Sequence, residues 1–492
     1  MDSHNGVRCP GAQEKHDPHA RWRVLGAVSM GAFLASLDSS IVNMSLPTLV
    51  RAFDAGFARV QWVVLAYMVT VVSLILPLGR FGDVFGKKNI YLAGFAVFTV
   101  GSALCGWGMG LSALIAFRVI QGVGASMIMA LGFAIVTEAF PAQERGRAIG
   151  ILSALCAAAI ALGPVLGGVC MEALSWPWIF RLNVPIGILG CAMVKAVVPE
   201  DVPIKGEALG IPGAVSLAAT LVLLFTGLTW GQAHGFAFLA ALTVGAGFSF
   251  AVFITCEARS AHPLIDVTLF SDRRFTINLV TGFIAFVAYA GMVLLLPFYL
   301  EEVAGYSTRK AGLLMAVVPV SLGVVSPLAG VLSDRLGTRL VTTAGLCVSL
   351  GAYFAASFLD GGTSMPGLVT RLAALGAGMG LFMSPNNSAI MGAVPGDRLG
   401  IASGLLTAAR TLGQAMGAAV VGAFWVFRVS VHSGGARGSV LPPVDHYADI
   451  CGFHDTFLGL FFLTAGGIVV SLWGHFPYRG ASKALSGQSP LR

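Results

Sequence analysis

The sequence predicts an all-α integral membrane protein, a bundle of fourteen transmembrane helices. Three observations carry this. Charged residues make up only 11% of the 492, against about 25% in soluble domains. Mean hydropathy is +0.83. Apolar runs of bilayer length, about 20 residues, recur from one end of the chain to the other. They do not alternate apolar and polar residues as barrel strands of about ten residues do.

The polar first 20 residues read as a disordered tail, and the first apolar run is too long for a signal peptide. Span 1 follows at 24–48 and holds "FLASLDSSIVNMSLPTLV" (33–50), with Asp38 inside it. Span 2 (60–79) carries Trp62 and Tyr67 near its start, as interfacial anchors or substrate contacts, and runs into "GRFGDVFGKK" (79–88). Spans 3 and 4 are placed at 89–109 and 111–136, the latter with Arg118 and with Gln121 as a substrate-cavity candidate; spans 5 and 6 at 148–171 and 179–198. Spans 7 and 8 take 209–230 and 236–255 between the connectors 199–208 and 257–274, which carry Pro and charges of both signs. Spans 9 to 14 follow at 275–300, 311–333, 340–359, 366–393, 400–427 and 456–476. The connection 428–454 is the longest, rich in Gly, Ser and Pro, and reads as a mobile loop or part of an exit mouth. A short tail, 481–492, ends the chain.

Fourteen spans put both termini on one side. Calling that side cytoplasmic assigns it about two-thirds of the 30 Lys and Arg, as the positive-inside rule requires. The net charge of +7 therefore reflects topology, and no basic–aromatic patch points to nucleic acid. The eight Cys contain no C-x-x-C pair, so buried thiols rather than metal ligands or disulfides are expected. No metal or cofactor is expected. Without H-E-x-x-H, a Walker sequence or a nucleophile–base set, an enzyme or ATP-driven pump is disfavoured, and the glycine clusters at 122–124 and 376–380 lie inside apolar helices, where a dinucleotide fold fails.

The chain repeats itself. "GRFGDVFGKK" (79–88) and "GVLSDRLGTR" (330–339) share G-x-x-x-D-x-x-G at a separation of 251 residues, and "LGPVLGG" (162–168) and "LGQAMGA" (412–418) match at 250. "RVIQGVG" (118–124) and "RLAALGAG" (371–378) agree to within a few residues of that offset. Two six-helix halves, 21–200 and 271–480, are expected to flank an inserted two-helix segment, 201–270. Parallel repeats of this kind place a substrate site near the membrane midplane, between halves that rock against each other.

At these residues the chain resembles a known family. "GRFGDVFGKK" looks like the loop 2–3 signature of the major facilitator superfamily, "LIAFRVIQGVGAS" (114–126) is similar to its span 4 motif, and "GPVLGG" (163–168) resembles its antiporter motif. "LDSSIVNMSLP" (37–47), "WPWIFRLNVPIG" (176–187) and "PFYLEEVAGYSTRKAG" (297–312) resemble the fourteen-span drug:proton antiporter branch. Ala159 stands where the antiporter motif often begins with Gly, and Phe81 and Val84 stand where the loop signature often has Leu and Arg. Val84 removes one salt-bridge partner at the gate.

The loop signature also has a physical reading. Gly79 and Gly86 permit a tight turn, and Asp83 with Lys87 and Lys88 stands at the inner surface. There Asp83 can meet the positive end of span 13 near Gly400–Ser403; by the repeat, Asp334 beside Arg335 should face span 5 near Arg147–Gly150. The loop is either a conformational lock, which the resemblance assigns to the outward-facing state, or a plain topogenic turn. In span 5, Gly163, Pro164, Gly167 and Gly168 form a small-residue face with a kink. It serves ordinary packing or, as the resemblance implies, the seal of an exporter.

Three ionisable residues sit deep in spans: Asp38, Arg118 and Arg410. Charges there cost about 2.5–3.5 kcal/mol each on insertion scales, so they face a cavity and pair. At 1.5 Å per residue, Asp38 lies ~15 Å and Arg118 ~10 Å from the outer ends of their spans, close enough in depth to meet. Burial favours a neutral Asp38 and a neighbouring cation a charged one. It can cycle a proton, clamp two helices or hold a cationic substrate. Arg410 is structural, on a helix end or polar network near Gln414, or functional; Asn386 and Asn387 in "SPNNSA" line the cavity or satisfy backbone freed by Pro385.

The resulting expectation is a proton-coupled antiporter that exports small hydrophobic or cationic compounds across a bacterial plasma membrane. Its partners are the substrate, protons and the lipid bilayer, and one chain is the working unit. The alternatives are a lipid flippase, an exporter of one endogenous metabolite, or uptake by symport, which the Gly163–Gly168 motif disfavours.

Overall fold

The computed structural model describes residues 18–200, 211–259, 267–394, 399–433 and 446–473. Most of both tails, most of the connectors beside spans 7 and 8, and residues 434–445 lie outside these. Fourteen helices are long and apolar enough to cross a membrane, and no strand occurs among the described residues. Spans 1 to 6 are Ala20–Phe53, Phe57–Gly82, Lys87–Cys105, Leu111–Ala139, Glu144–Ala173 and Trp178–Val197. Spans 7 and 8 are Pro212–Trp230 and Ala237–Arg259. Spans 9 to 14 are Arg273–Val303, Thr308–Leu336, Thr338–Ser357, Met365–Gly392, Ala402–His432 and Tyr447–Trp473. "Inner" denotes the face bearing the span 2–3 connection and "outer" the opposite one, following the charge-based orientation.

Local chemistry explains several boundaries. Gly86 and Gly337, 251 residues apart in sequence, both adopt positive φ, +92° and +85°. That conformation is open to glycine at no steric cost, and it turns the chain within one residue between spans 2 and 3 and between spans 10 and 11. Asp272 caps span 9, its carboxylate accepting from the backbone N–H of Arg274 and Phe275.

The expected loop 428–454 is shorter than its composition suggests. Span 13 runs on to His432 and span 14 begins at Tyr447. Asp455 joins the two, accepting from Arg428 at 2.6 Å and lying 2.7 Å from His432 Nε2. These polar residues read as loop in sequence; paired across two helices, they extend both.

Packing follows the sequence repeat. Span 1 packs on spans 4, 5 and 6, span 4 on spans 2 and 3, and span 3 on span 6; spans 9 to 14 reproduce the same set, with span 9 on 12, 13 and 14, span 12 on 10 and 11, and span 11 on 14. The two groups meet where span 5 crosses span 10, span 2 crosses span 13 and span 1 touches span 9. Span 7 lies against spans 2 and 13, while span 8 packs chiefly on span 7, joined by Ser249 Oγ donating to the Ser216 carbonyl at 2.8 Å.

Among the described residues, three polar contacts join the groups at their outer ends. Arg51 pairs with Glu301 at 2.5 Å, Gln61 donates to the Ala418 carbonyl, and the Arg309 N–H donates to Glu172 at 3.0 Å. Phe57 packs edge-on against Phe298 and Trp425 beneath them. These contacts hold spans 1, 2 and 5 against spans 9, 13 and 10 at the outer end. Spans 2 and 13 also stay close lower down, where a Cβ on Gly404 would lie 3.5 Å from Leu76.

Candidate functional site

Asp38 sits in the middle of span 1 with no exposed surface, and Arg118 of span 4 is 1% exposed. They meet directly, Arg118 Nη1 donating to Asp38 Oδ2 at 2.6 Å. The carboxylate accepts two more hydrogen bonds on Oδ1, from Gln121 Nε2 at 2.8 Å and from Asn183 Nδ2 at 2.9 Å. Arg118 also donates to Gln121 Oε1 at 2.6 Å and, through Nε, to the Val63 carbonyl of span 2 at 2.9 Å. Gln121 Nε2 reaches Ser102 Oγ of span 3 at 2.7 Å. One face of the guanidinium lies 4.2 Å from the Tyr67 ring centroid, a cation–π contact. Five spans thus contribute to one buried network.

Sequence geometry explains the convergence. Arg118 and Gln121 are three residues apart, hence on one face of span 4. Span 3 comes close because Gly101 sits against the Gln121 backbone and Gly124 against Phe98, with no room for a Cβ at either. Asn183 opens the helix Asn183–Val197 just after the short turn Trp178–Arg181, and that break aims its amide inward. Its Oδ1 is buried without a partner. Gln121 and Tyr67, expected as cavity contacts, are 0% and 3% exposed and belong to this network. Asn183 and Ser102 were missed: Asn183 lies in a segment quoted above, but an Asn at a span start reads as interfacial.

The small-residue face of span 5 meets two neighbours. A Cβ on Gly163 would stand 2.5 Å from that of Ser40, and Gly167 packs on Ile41, both in span 1; Gly168 lies against Thr308 and Arg309, where span 10 begins. Pro164 cannot donate to the carbonyl of Ile160, and Ser40 Oγ takes that acceptor at 2.8 Å. The kinked carbonyl is satisfied from a neighbouring helix, as an apolar medium requires.

The remaining expected residues fall elsewhere. Trp62 is turned to span 7, donating to Thr229 Oγ1 at 3.1 Å beside Trp230. Arg410 and Gln414 are half-buried on span 13; Asn387 is half-buried and Asn386 buried on span 12. The Nε of Arg410 and Oδ1 of Asn386 are buried without partners. At the inner face Lys87 pairs with Glu138 at 2.6 Å, and Lys88 lies beside it in a surface cavity reaching Val198–Glu200. The side chain of Asp83 lies outside the described residues. Asp334 and Arg335 are exposed, and nothing stands within 4 Å of a Cβ on Gly150. No cluster of His, Cys, Asp and Glu able to hold a metal occurs among the described residues.

Comparison with known proteins bears on this arrangement. The family described as Major Facilitator Superfamily matches residues 28–418. The chain is 35% identical over 407 residues to the riboflavin transporter RibZ of Clostridioides difficile, covering 82% of this chain and 88% of that one. It is 33% identical over 403 residues to the multidrug resistance protein Stp of Mycobacterium tuberculosis, covering 80% and 74% respectively. Among solved structures, a bacterial homologue of the human lysosomal transporter Spinster, inward-facing and unoccupied, superposes with a TM-score of 0.68. That likeness has 14% identity and covers 92% of this chain and 97% of the other.

Proposed function

The chain belongs to the Major Facilitator Superfamily, and on that premise we propose that it is a proton-coupled antiporter. It exports small, largely hydrophobic compounds across a bacterial plasma membrane, with both termini in the cytoplasm. The observation that carries the reading is the carboxylate of Asp38, wholly buried and held by Arg118, Gln121 and Asn183. A charge this deep is retained for a role in transport more often than for stability, because apolar packing is the less costly way to join helices.

The geometry suits a proton carrier better than a substrate contact. A cationic compound would find Asp38 unexposed and already neutralised by Arg118. A proton needs no such space. Once protonated, Asp38 no longer holds the guanidinium by charge, and its new O–H requires an acceptor. The Asn183 amide, turned through 180°, presents Oδ1 for that purpose, so one side chain serves both states of the carboxyl. Loss of the ion pair loosens span 1 from span 4, and span 1 also packs on spans 5 and 9. Protonation is thereby linked to the contacts between the halves, which move as rigid bodies around a central site, while spans 7 and 8 ride on spans 2 and 13. Similarity to a multidrug resistance protein supports export of foreign compounds; similarity to a riboflavin transporter supports a second reading, a carrier dedicated to one metabolite.

Transport in inverted membrane vesicles, against a panel of dyes, antibiotics and riboflavin, tests this. An acidic lumen should drive uptake of substrate, and a protonophore should abolish it. Uptake unaffected by the protonophore contradicts the antiporter reading, and accumulation of riboflavin alone selects the second.

A further inference from the structure

We propose that Arg410 anchors an anionic group of the transported molecule, so that the protein selects aromatic or hydrophobic carboxylates over their neutral and cationic counterparts. The inference rests on the transporter reading above and names its substrate class.

Position comes first. On span 13, Gly413 and Gly417 pack against Phe283 and Val287 of span 9, while Ala418 and Gly422 meet Gln61 of span 2. Arg410 and Gln414 lie on the flank between these two contacts, and both keep exposed surface. Cys156, on span 5 of the other half, lies near enough to interact with the Arg410 charge. The guanidinium therefore faces the space between the halves rather than lipid.

Its lack of a counter-charge comes next. Other arginines within spans are engaged: Arg118 with Asp38, Arg371 of span 12 with the Ala355 carbonyl, Arg428 with Asp455. Arg410 has an ion pair with no described residue, and its Nε is buried without an acceptor. A lone cation at this depth is costly, and a buried unmade donor adds to the cost. An incoming carboxylate removes both penalties, since the planar guanidinium fork binds carboxylate bidentately.

The surroundings accept polar groups without supplying charge. The amide nitrogen of Asn386 would lie 3.1 Å from a Cβ on Gly282, and the adjoining Phe283 carbonyl touches Gly413, which sets Asn386 and the Arg410–Gln414 turn at one level. Asn386 is 2% exposed with Oδ1 unpartnered, and Thr281, next to Gly282 on span 9, has a buried, unpartnered hydroxyl. Asp38 is already spent on Arg118. Among the described residues this level carries one uncompensated positive charge, which repels cations as it attracts anions.

Equilibrium binding to purified protein in lipid nanodiscs tests this with two matched probes, 7-(diethylamino)coumarin-3-carboxylate and its neutral ethyl ester. Fluorescence anisotropy should show the carboxylate binding at least tenfold tighter. Arg410→Gln should erase that preference while leaving ester affinity within about twofold, which also shows that the variant is folded; Arg410→Lys should keep part of it. Equal binding of the two probes, failure of the wild type to bind the carboxylate, or a preference that survives Arg410→Gln overturns the proposal. No gradient is involved, so a loss of proton coupling in vesicles would count against the antiporter and not against this anchor.

Discussion

Arg118 is the residue whose removal should hurt the fold most. It donates to Asp38, Gln121 and the Val63 carbonyl from a site that is 1% exposed. Deleting one partner of a buried ion pair strands the other and costs about 3–5 kcal/mol, whereas replacing both can be near neutral. Arg118→Gln should therefore lower the thermal midpoint in detergent, and Asp38→Asn combined with Arg118→Gln should recover most of the loss. A double variant no more stable than Arg118→Gln alone would mean the pair is not the energetic unit described. At this scale the sequence is informative about charges and poor on amides. A lone carboxylate and a lone guanidinium in apolar runs announce themselves, and helix rise brings them to matching depth. Asn183 and Ser102 carry no such signal, because only the break before span 6 and the close approach of span 3 turn them toward Asp38.

Among elements, the crossing of spans 5 and 10 offers the most direct control over conformation. Gly168 lies against the Thr308 and Arg309 backbone, and Gly312 against the Pro164 carbonyl; a larger side chain has nowhere to go but between the helices. Gly168→Leu should pry the outer ends apart and shift the population toward an outward-open arrangement. Spin labels on spans 5 and 10, read by double electron–electron resonance, should then show longer outer distances and shorter inner ones; unchanged distances would make the glycine face mere packing. The glycine pattern was legible because close helix approach in a membrane demands small residues. The helical reach of spans 13 and 14 was not, because Arg428, His432 and Asp455 look like loop residues until they are seen paired.

Over the whole molecule, the count of spans and the repeated turn were legible, since bilayer length and turn motifs are written directly in composition and spacing. Gly86 and Gly337 show why: the same positive-φ turn is needed twice, and glycine meets it both times. The joining of the outer ends was not legible, because it depends on contacts such as Arg51 with Glu301 and Gln61 with Ala418, between residues some 250 to 360 positions apart. The outer-end contacts and the enclosed Asp38 fit one stage of the proposed alternating cycle, in which the proposed proton carrier is shut off from the outer face.

The central claim, that Asp38 carries the proton that drives export, is tested most directly in proteoliposomes by comparing wild type with Asp38→Asn. Uphill accumulation of substrate under an imposed pH gradient should be lost in the variant, while gradient-free exchange of labelled for unlabelled substrate persists. Uphill accumulation that survives in Asp38→Asn would contradict the account.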